Sequence, residues 1–430
     1  MRYSFAIVSS TLLSLPVQAA YVHPGLLHTA DDFARIRTKV NAEAEPWLTG
    51  YHKLTASKYA QSTYVNSAQA VIYRGANSVH SQNYGDLYRD AAAAYQLGIR
   101  WKLTNDTAYA DAAAAVLSAW GSTLTEITGS GDKFLAAGIY GYEMANAAEI
   151  LRDYEPWYSA NFSTFSTMMS KVFLSMNMDF FVRHNDAKAD HYWANWDLCN
   201  IASAMAIGIL TDNTTAYNYA LDYFKTNGTG NGQINKAIWK LYTEDGSGKL
   251  LGQGQEAGRD QGHSMLDFAL LGVIAQQGYN QGDDLFSYND SLILAGAEYV
   301  AKYNLGYNVP YTTYHNSDVT QTVISNNSRG DVRPIWELLY AHYGVLNGLN
   351  ASWSEQYRDL VVSDGSGAEG GGGNYDLILC NIITSEHALK LIIETEEAAA
   401  TLMVNRLLTV ILSKQVSAVI SMQQLKQDLK

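Results

Sequence analysis

Between Gly252 and Gly278 the chain reads GQGQEAGRDQGHSMLDFALLGVIAQQG, a Gly/Gln-rich loop that turns into an amphipathic helix. At that junction Glu256, Arg259, Asp260, Gln261 and His263 fall within about two helical turns. Arg259 and His263 lie four residues apart and share a helix face. A fixed cation and a titratable imidazole at a helix N-terminus, itself partly positive, suit chemistry on an anionic substrate. The plainer reading is a capped helix whose Arg and His tie down the loop, with Arg259 paired to Glu256 or Asp260. Two more blocks carry similar chemistry. DHYWANWDLCNIASAMAIGIL, from Asp190, sets His191, Trp193, Asn195 and Trp196 ahead of an apolar helix, where Asn195 would also serve as an N-cap. KYNLGYNVPYTTYHN, Lys302 to Asn316, carries tyrosines at 303, 307, 311 and 314.

The elements that must hold these residues are helical. Thr29 followed by Asp31 and Asp32 marks a capped helix start. Apolar periodicity then predicts helices at 84–103, 109–120, 134–154, 162–182, 196–210, 217–224, 234–242, 261–277, 290–303 and 335–346. Short Gly/Asn/Asp/Thr linkers separate them, and the best strand candidates are 309–314 and 319–324. Antiparallel helix pairs joined this way predict an all-α fold, an α/α toroid or incomplete barrel with small-residue inner helices and more amphipathic outer ones. An open solenoid would need a fixed repeat, and none is visible.

Composition narrows the partners. The net charge of −13 argues against nucleic acid, and an anionic substrate needs a local cationic site. Residues 1–20 read as a secretory signal: Arg2, an apolar run, then Val17-Gln18-Ala19. That run is too short for a membrane span, so a soluble, exported monomer is expected. Seven N-x-S/T sequons, at Asn105, Asn161, Asn213, Asn227, Asn289, Asn326 and Asn350, fit export. Two cysteines, Cys199 and Cys380, exclude a disulfide scaffold, and Cys199 reads as a buried thiol. No metal-ligand spacing is present. Thirty tyrosines and nine tryptophans could line a sugar cleft, although most aromatics pack in cores. One domain is expected over 21–376, with 377–430 an atypical helical tail after the Gly-rich DGSGAEGGGGN.

In order along the chain, Asn195-Trp196-Asp197-Leu198-Cys199-Asn200, Glu256-Ala257-Gly258-Arg259-Asp260-Gln261-Gly262-His263 and Asn280-Gln281-Gly282-Asp283-Asp284-Leu285 stand out. Ala301-Lys302-Tyr303-Asn304-Leu305-Gly306, Arg333-Pro334-Ile335-Trp336-Glu337-Leu338 and Glu369-Gly370-Gly371-Gly372-Gly373 follow. Over roughly residues 21–375, this series resembles the secreted alginate-lyase-domain polysaccharide lyases, especially polysaccharide lyase family 38. From Leu377 onward the sequence departs from that family's ending. The resemblance implies a toroid and β-elimination on a 1,4-linked polyuronate, alginate or glucuronan, by Asn, His, Tyr and Arg groups without a cofactor. On that reading His263 is the first candidate for base and His191 the second. Tyr314 leads Tyr311 as acid, and Asn195 with Arg259 neutralises the uronate carboxylate. Trp193, Trp196 and Tyr142 would stack on sugars, with Arg329, Arg333 and Glu256 as further substrate contacts.

Each role has a structural counterpart. His191 suits a helix-entry hydrogen bond, the tyrosines and Tyr142 suit core packing, and Arg333 suits a loop brace. Two other function classes fit the same residues. A glycoside hydrolase would draw a carboxylate pair from Asp190, Asp197, Glu256 and Asp260. A non-catalytic sugar-binding toroid would need no proton transfer at all.

Overall fold

The computed structural model describes residues 21–363 apart from 46, 76, 77 and 334. The expected signal segment, the Gly-rich stretch, Cys380 and the 377–430 tail lie outside the described residues. Helices run in order: α1 (Ala30–Asn41), α2 (Trp47–Ala56), α3 (Tyr84–Thr104), α4 (Thr107–Thr123), α5 (Lys133–Ile150), α6 (Glu155–Met168) and α7 (Ser175–Arg183). They continue as α8 (Ala194–Leu210), α9 (Thr214–Asp222), α10 (Ile234–Ala237), α11 (Gln261–Asn280), α12 (Tyr288–Asn304), α13 (Trp336–Tyr340) and α14 (Ser352–Ser363). Thr29 caps α1 in a full capping box with Asp32, as its sequence signals.

Helices α3, α5, α8 and α11 pack successively against one another and form the inner layer. α4 lies outside α3, α9 outside α8, and α12 outside α11, which is the α/α toroid expected from the sequence. Small residues let the inner helices approach closely. A Cβ on Gly138 of α5 would stand 2.2 Å from Cys199 Sγ and 2.9 Å from the Asn200 backbone nitrogen of α8. Cys199 is fully buried there, and burial pushes its thiol pKa up, so it is an inert core group.

Strands are short and paired in twos. β1 (Val71–Arg74) runs parallel to β2 (Glu126–Gly129), and β3 (Ile238–Thr243) is antiparallel to β4 (Leu250–Gly254). β5 (Tyr314–His315) and β6 (Thr320–Gln321) form a small hairpin; β6 lies within the segment 319–324 read as a strand, whereas of 309–314 only Tyr314 is in a strand. The helix expected over 234–242 is corrected. Only Ile234–Ala237 is helical, and Ile238–Thr243 pairs instead with β4. The β-branched and aromatic run Ile238-Trp239-Lys240-Leu241-Tyr242 suits a ladder once a partner strand returns through the Gly246–Gly248 turn. α14, absent from the sequence reading, is seated by Glu298 of α12, whose carboxylate accepts the Trp353 and Ser354 N–H groups at 3.0 and 2.8 Å.

Candidate active site

α8 opens with Trp193 in extended backbone at its cap position and no side-chain cap from that residue. Its first N–H groups would be orphaned without outside help. The loop after β4 provides that help: the Gln255 side-chain oxygen accepts from Ala194 N–H at 3.0 Å, and Glu256 Oε1 accepts from Asn195 N–H at 3.1 Å. A carboxylate is favoured at this partly positive helix end. Glu256 Oε2 also accepts from Arg259 Nη1 at 2.6 Å, and the Arg259 guanidinium lies 4.8 Å from the Trp193 ring centroid. Arg259 is thus clamped between a buried carboxylate and an indole face. Asn195 is therefore not the N-cap of α8. Its side-chain oxygen is buried without a hydrogen-bond partner, so the carboxamide is not spent on capping.

The start of α11 carries the second half of the site. Asp260 caps it, accepting the His263 N–H at 2.8 Å through Oδ1, while Oδ2 meets His263 Nδ1 at 2.6 Å. A neutral imidazole in this pair carries its proton on Nδ1 and presents Nε2 as an acceptor. Burial alone would raise the Asp260 carboxyl, but the His263 ring and backbone bonds outweigh it and bring its pKa below the usual range. The Arg333 guanidinium also reaches this helix end: a Cβ on Gly262 would lie 3.3 Å from Arg333 Nη2 and 3.2 Å from Asp260 Oδ1.

The segment carrying β5 and β6 closes over both halves. Gln253 of β4 pairs with Thr312 through both its amide nitrogen and its oxygen, each at 2.8 Å. Ser325 N–H bonds Ala257 O at 3.0 Å, and Gln261 N–H bonds Asn327 O at 2.9 Å. Asp190 accepts from Ser317, and the Asn316 side chain donates to Asp190 O at 2.9 Å. Tyr314 is thereby buried beside the Gln255 and Asn316 carboxamides, with Trp239 edge-on at 5.5 Å. Burial raises its phenol pKa; the two amides pull it down, and the charges of Asp190 and Glu256 push it up. Gln255, Asn316 and Trp239 were not among the expected site residues. The Gln253-Gly254-Gln255-Glu256 run is the signal for Gln255, while Trp239 lay hidden in the misread helix.

Contacts through Asp260 and Glu256 link His263, Arg259, Asn195 and Trp193, with Tyr314 beside Gln255 and Arg333 beside Gly262, while the other expected site residues take structural posts. Tyr311 spends its hydroxyl on Gln321 O at 2.9 Å. His191 is solvent-exposed and paired with Asp318 at 2.6 Å. Glu256 is fully buried and spends its oxygens on Asn195 and Arg259, so it supports the site and does not meet sugar. Arg329 donates to Tyr303 O at 2.7 Å and Tyr307 O at 2.9 Å, bracing the loop after α12. Tyr142 sits in the hydrophobic core, which leaves no ring face for stacking. Trp196 packs on Tyr192 and Phe180, with centroids at 4.5 and 6.3 Å.

The family model described as alginate lyase matches residues 45–308, more than half of the chain. The chain belongs to the alginate lyase family. This polysaccharide lyase shares its fold with an alginate lyase from Bacteroides ovatus, at 11% identity and TM-score 0.50, over 79% of this chain and 96% of that one. Alginate lyase A1-III from Sphingomonas species A1 aligns at 14% identity and TM-score 0.47, over 75% and 90% of the two chains. No curated protein matches the lyase sequence.

Proposed function

We propose that the lyase is an exported enzyme of the family-38 branch that cleaves a 1,4-linked polyuronate, alginate or glucuronan, leaving 4,5-unsaturated uronate ends. The observation that carries this reading is the Glu256 bridge, which ties the Asn195 end of α8 to Arg259 at the mouth of α11. Next to that bridge, His263 is oriented by Asp260, and Tyr314, the first residue of β5, lies beside the Gln255 and Asn316 carboxamides. Arg259 and the Asn195 carboxamide offset the uronate carboxylate, which makes the C5 proton more acidic. His263 Nε2 removes that proton. The C5–H electron pair becomes the C4–C5 double bond, the C4–O bond breaks, and Tyr314 gives its proton to the leaving oxygen. Arg333 holds a second carboxylate.

The hydrolase reading finds little support, because its carboxylates are committed. Asp197 is fully buried and accepts from Gly232 N–H and Tyr223 OH at 3.0 and 3.1 Å. Asp190 is held by Ser317, and Glu256 by Arg259. The test is ultraviolet absorbance over time with alginate blocks, glucuronan and a neutral glucan. A rise on one polyuronate is expected, with His263→Ala lowering kcat by roughly 10²–10⁴ while substrate binding persists. New reducing ends without absorbance would overturn the lyase mechanism. Binding with no turnover of any polymer would leave a sugar-binding toroid.

A further inference from the structure

Below the site lies a carboxyl group that the elimination scheme does not use. Asp267 stands on α11 four residues after His263, one turn deeper on the same face. It is only 2% exposed, and neither carboxylate oxygen meets a hydrogen-bond donor. The group it faces is another carboxylate, that of fully buried Glu256, with Arg259 and Asp260 the other charges around it. Two ionised carboxylates in contact in a dry interior repel, and a buried carboxylate without a donor is costly. Glu256 already has its stabilising partners, the Asn195 N–H and the Arg259 guanidinium. Asp267 has none, so the shared proton belongs on Asp267. Burial first, and the Glu256 charge second, push its pKa well above the usual carboxylate value.

We propose that Asp267 is a positioning residue, held as the neutral acid, whose O–H donates to Glu256 and so fixes the Glu256–Arg259 pair against the α8 N-terminus. With Asp267 neutral, Arg259 meets only Glu256 at 2.6 Å and Asp260 at 3.9 Å, and it keeps its place against Trp193, where an incoming uronate would meet it. An ionised Asp267 would add a further buried negative charge beside Glu256 and draw Arg259 inward. The catalytic consequence rests on the lyase reading of the site; the protonation state does not.

The test compares the full-length wild type with Asp267→Asn and Asp267→Ala. Asparagine keeps the shape and can donate to Glu256 without a proton equilibrium. Asp267→Asn is expected to retain kcat/KM within about threefold, and Asp267→Ala to lose at least about tenfold, the scale of a hydrogen bond to a charged group. The infrared difference spectrum of wild type minus Asp267→Asn at neutral pH should contain the C=O band of a protonated carboxylic acid. An ionised-carboxylate band in its place would overturn the proposal. So would loss of activity in Asp267→Asn equal to that in Asp267→Ala. If wild type produced no unsaturated product from any polyuronate, the lyase mechanism would fail, and the infrared result would still decide Asp267.

Discussion

At the residue scale the site is built from pairs in which one partner disciplines the other. Asp260 orients His263, Glu256 anchors Arg259, and Gln255 with Asn316 flank Tyr314. The two candidate acids illustrate the difference. Tyr311 spends its hydroxyl on a backbone carbonyl, whereas the Tyr314 phenol lies beside the Gln255 and Asn316 amides. Tyr314→Phe should lower kcat by roughly 10²–10⁴ with little change in KM. Tyr311→Phe should keep kcat within about threefold and cost about 1 kcal/mol of stability, the net worth of one neutral hydrogen bond. Steady-state kinetics with thermal unfolding of both variants checks the assignment; equal losses in kcat would remove Tyr314 from its role. The Asp260–His263 spacing was legible in the sequence, because both lie within one helical turn. The Glu256–Asn195 bridge was not, because it spans 61 residues and depends on the β4 loop meeting α8.

At the element scale, buried polar ties fasten the β3–β4 hairpin to the outer helices. Glu244, just past β3, accepts from Lys302 of α12 at 2.6 Å and from the Trp353 indole of α14 at 2.8 Å, and it also accepts from Ser247. Lys249, just before β4, bonds Glu298 at 2.5 Å and Ser352 at 2.7 Å. Burial alone would raise the Glu244 carboxyl, but the Lys302, Ser247 and Trp353 bonds and the Lys249 charge bring its pKa down to about 2. A depressed carboxyl contributes stability that is complete above the unfolded value of about 4.3 and is lost as pH falls through the folded one. The melting-temperature gap between wild type and Glu244→Gln should therefore be constant from neutral pH to about 5, then narrow as pH falls towards 2. A gap that did not change with pH would show that the tie is not ionic. The same region explains the misread strand: β3 has helix-compatible apolar spacing, and only its pairing with β4 selects the extended form.

The whole molecule sets the electrostatic terms on which a polymer arrives. The chain carries a net charge of −13, so on the proposed reading an anionic polymer would be repelled at long range and would need local cations such as Arg259 and Arg333. Salt screens the distant repulsion within about 10 Å at 0.1 M and weakens the partly buried Arg259 contacts much less. For long polymer, kcat/KM should rise as ionic strength increases from about 10 to about 150 mM, with a smaller rise for short fragments. A monotonic fall would mean that local cation–carboxylate contacts, and not the global field, dominate encounter.

What the sequence by itself determined was local. Alanine-rich inner helices, the Thr29 cap, the buried Cys199 and the cluster at the mouth of α11 all follow from spacing within a few turns. So does the toroid, since short linkers between amphipathic helices leave few other ways to bury their apolar faces. The tertiary structure decided which members of each residue set meet and which are committed elsewhere. It set Tyr314 beside Gln255 and Asn316 and committed Tyr311 to a carbonyl, turned Glu256 from an expected substrate contact into a buried support, and sent Arg329 and Tyr142 to structural posts. Those outcomes depend on hydrogen bonds and packing between segments tens to more than a hundred residues apart, and no local pattern encodes such pairings.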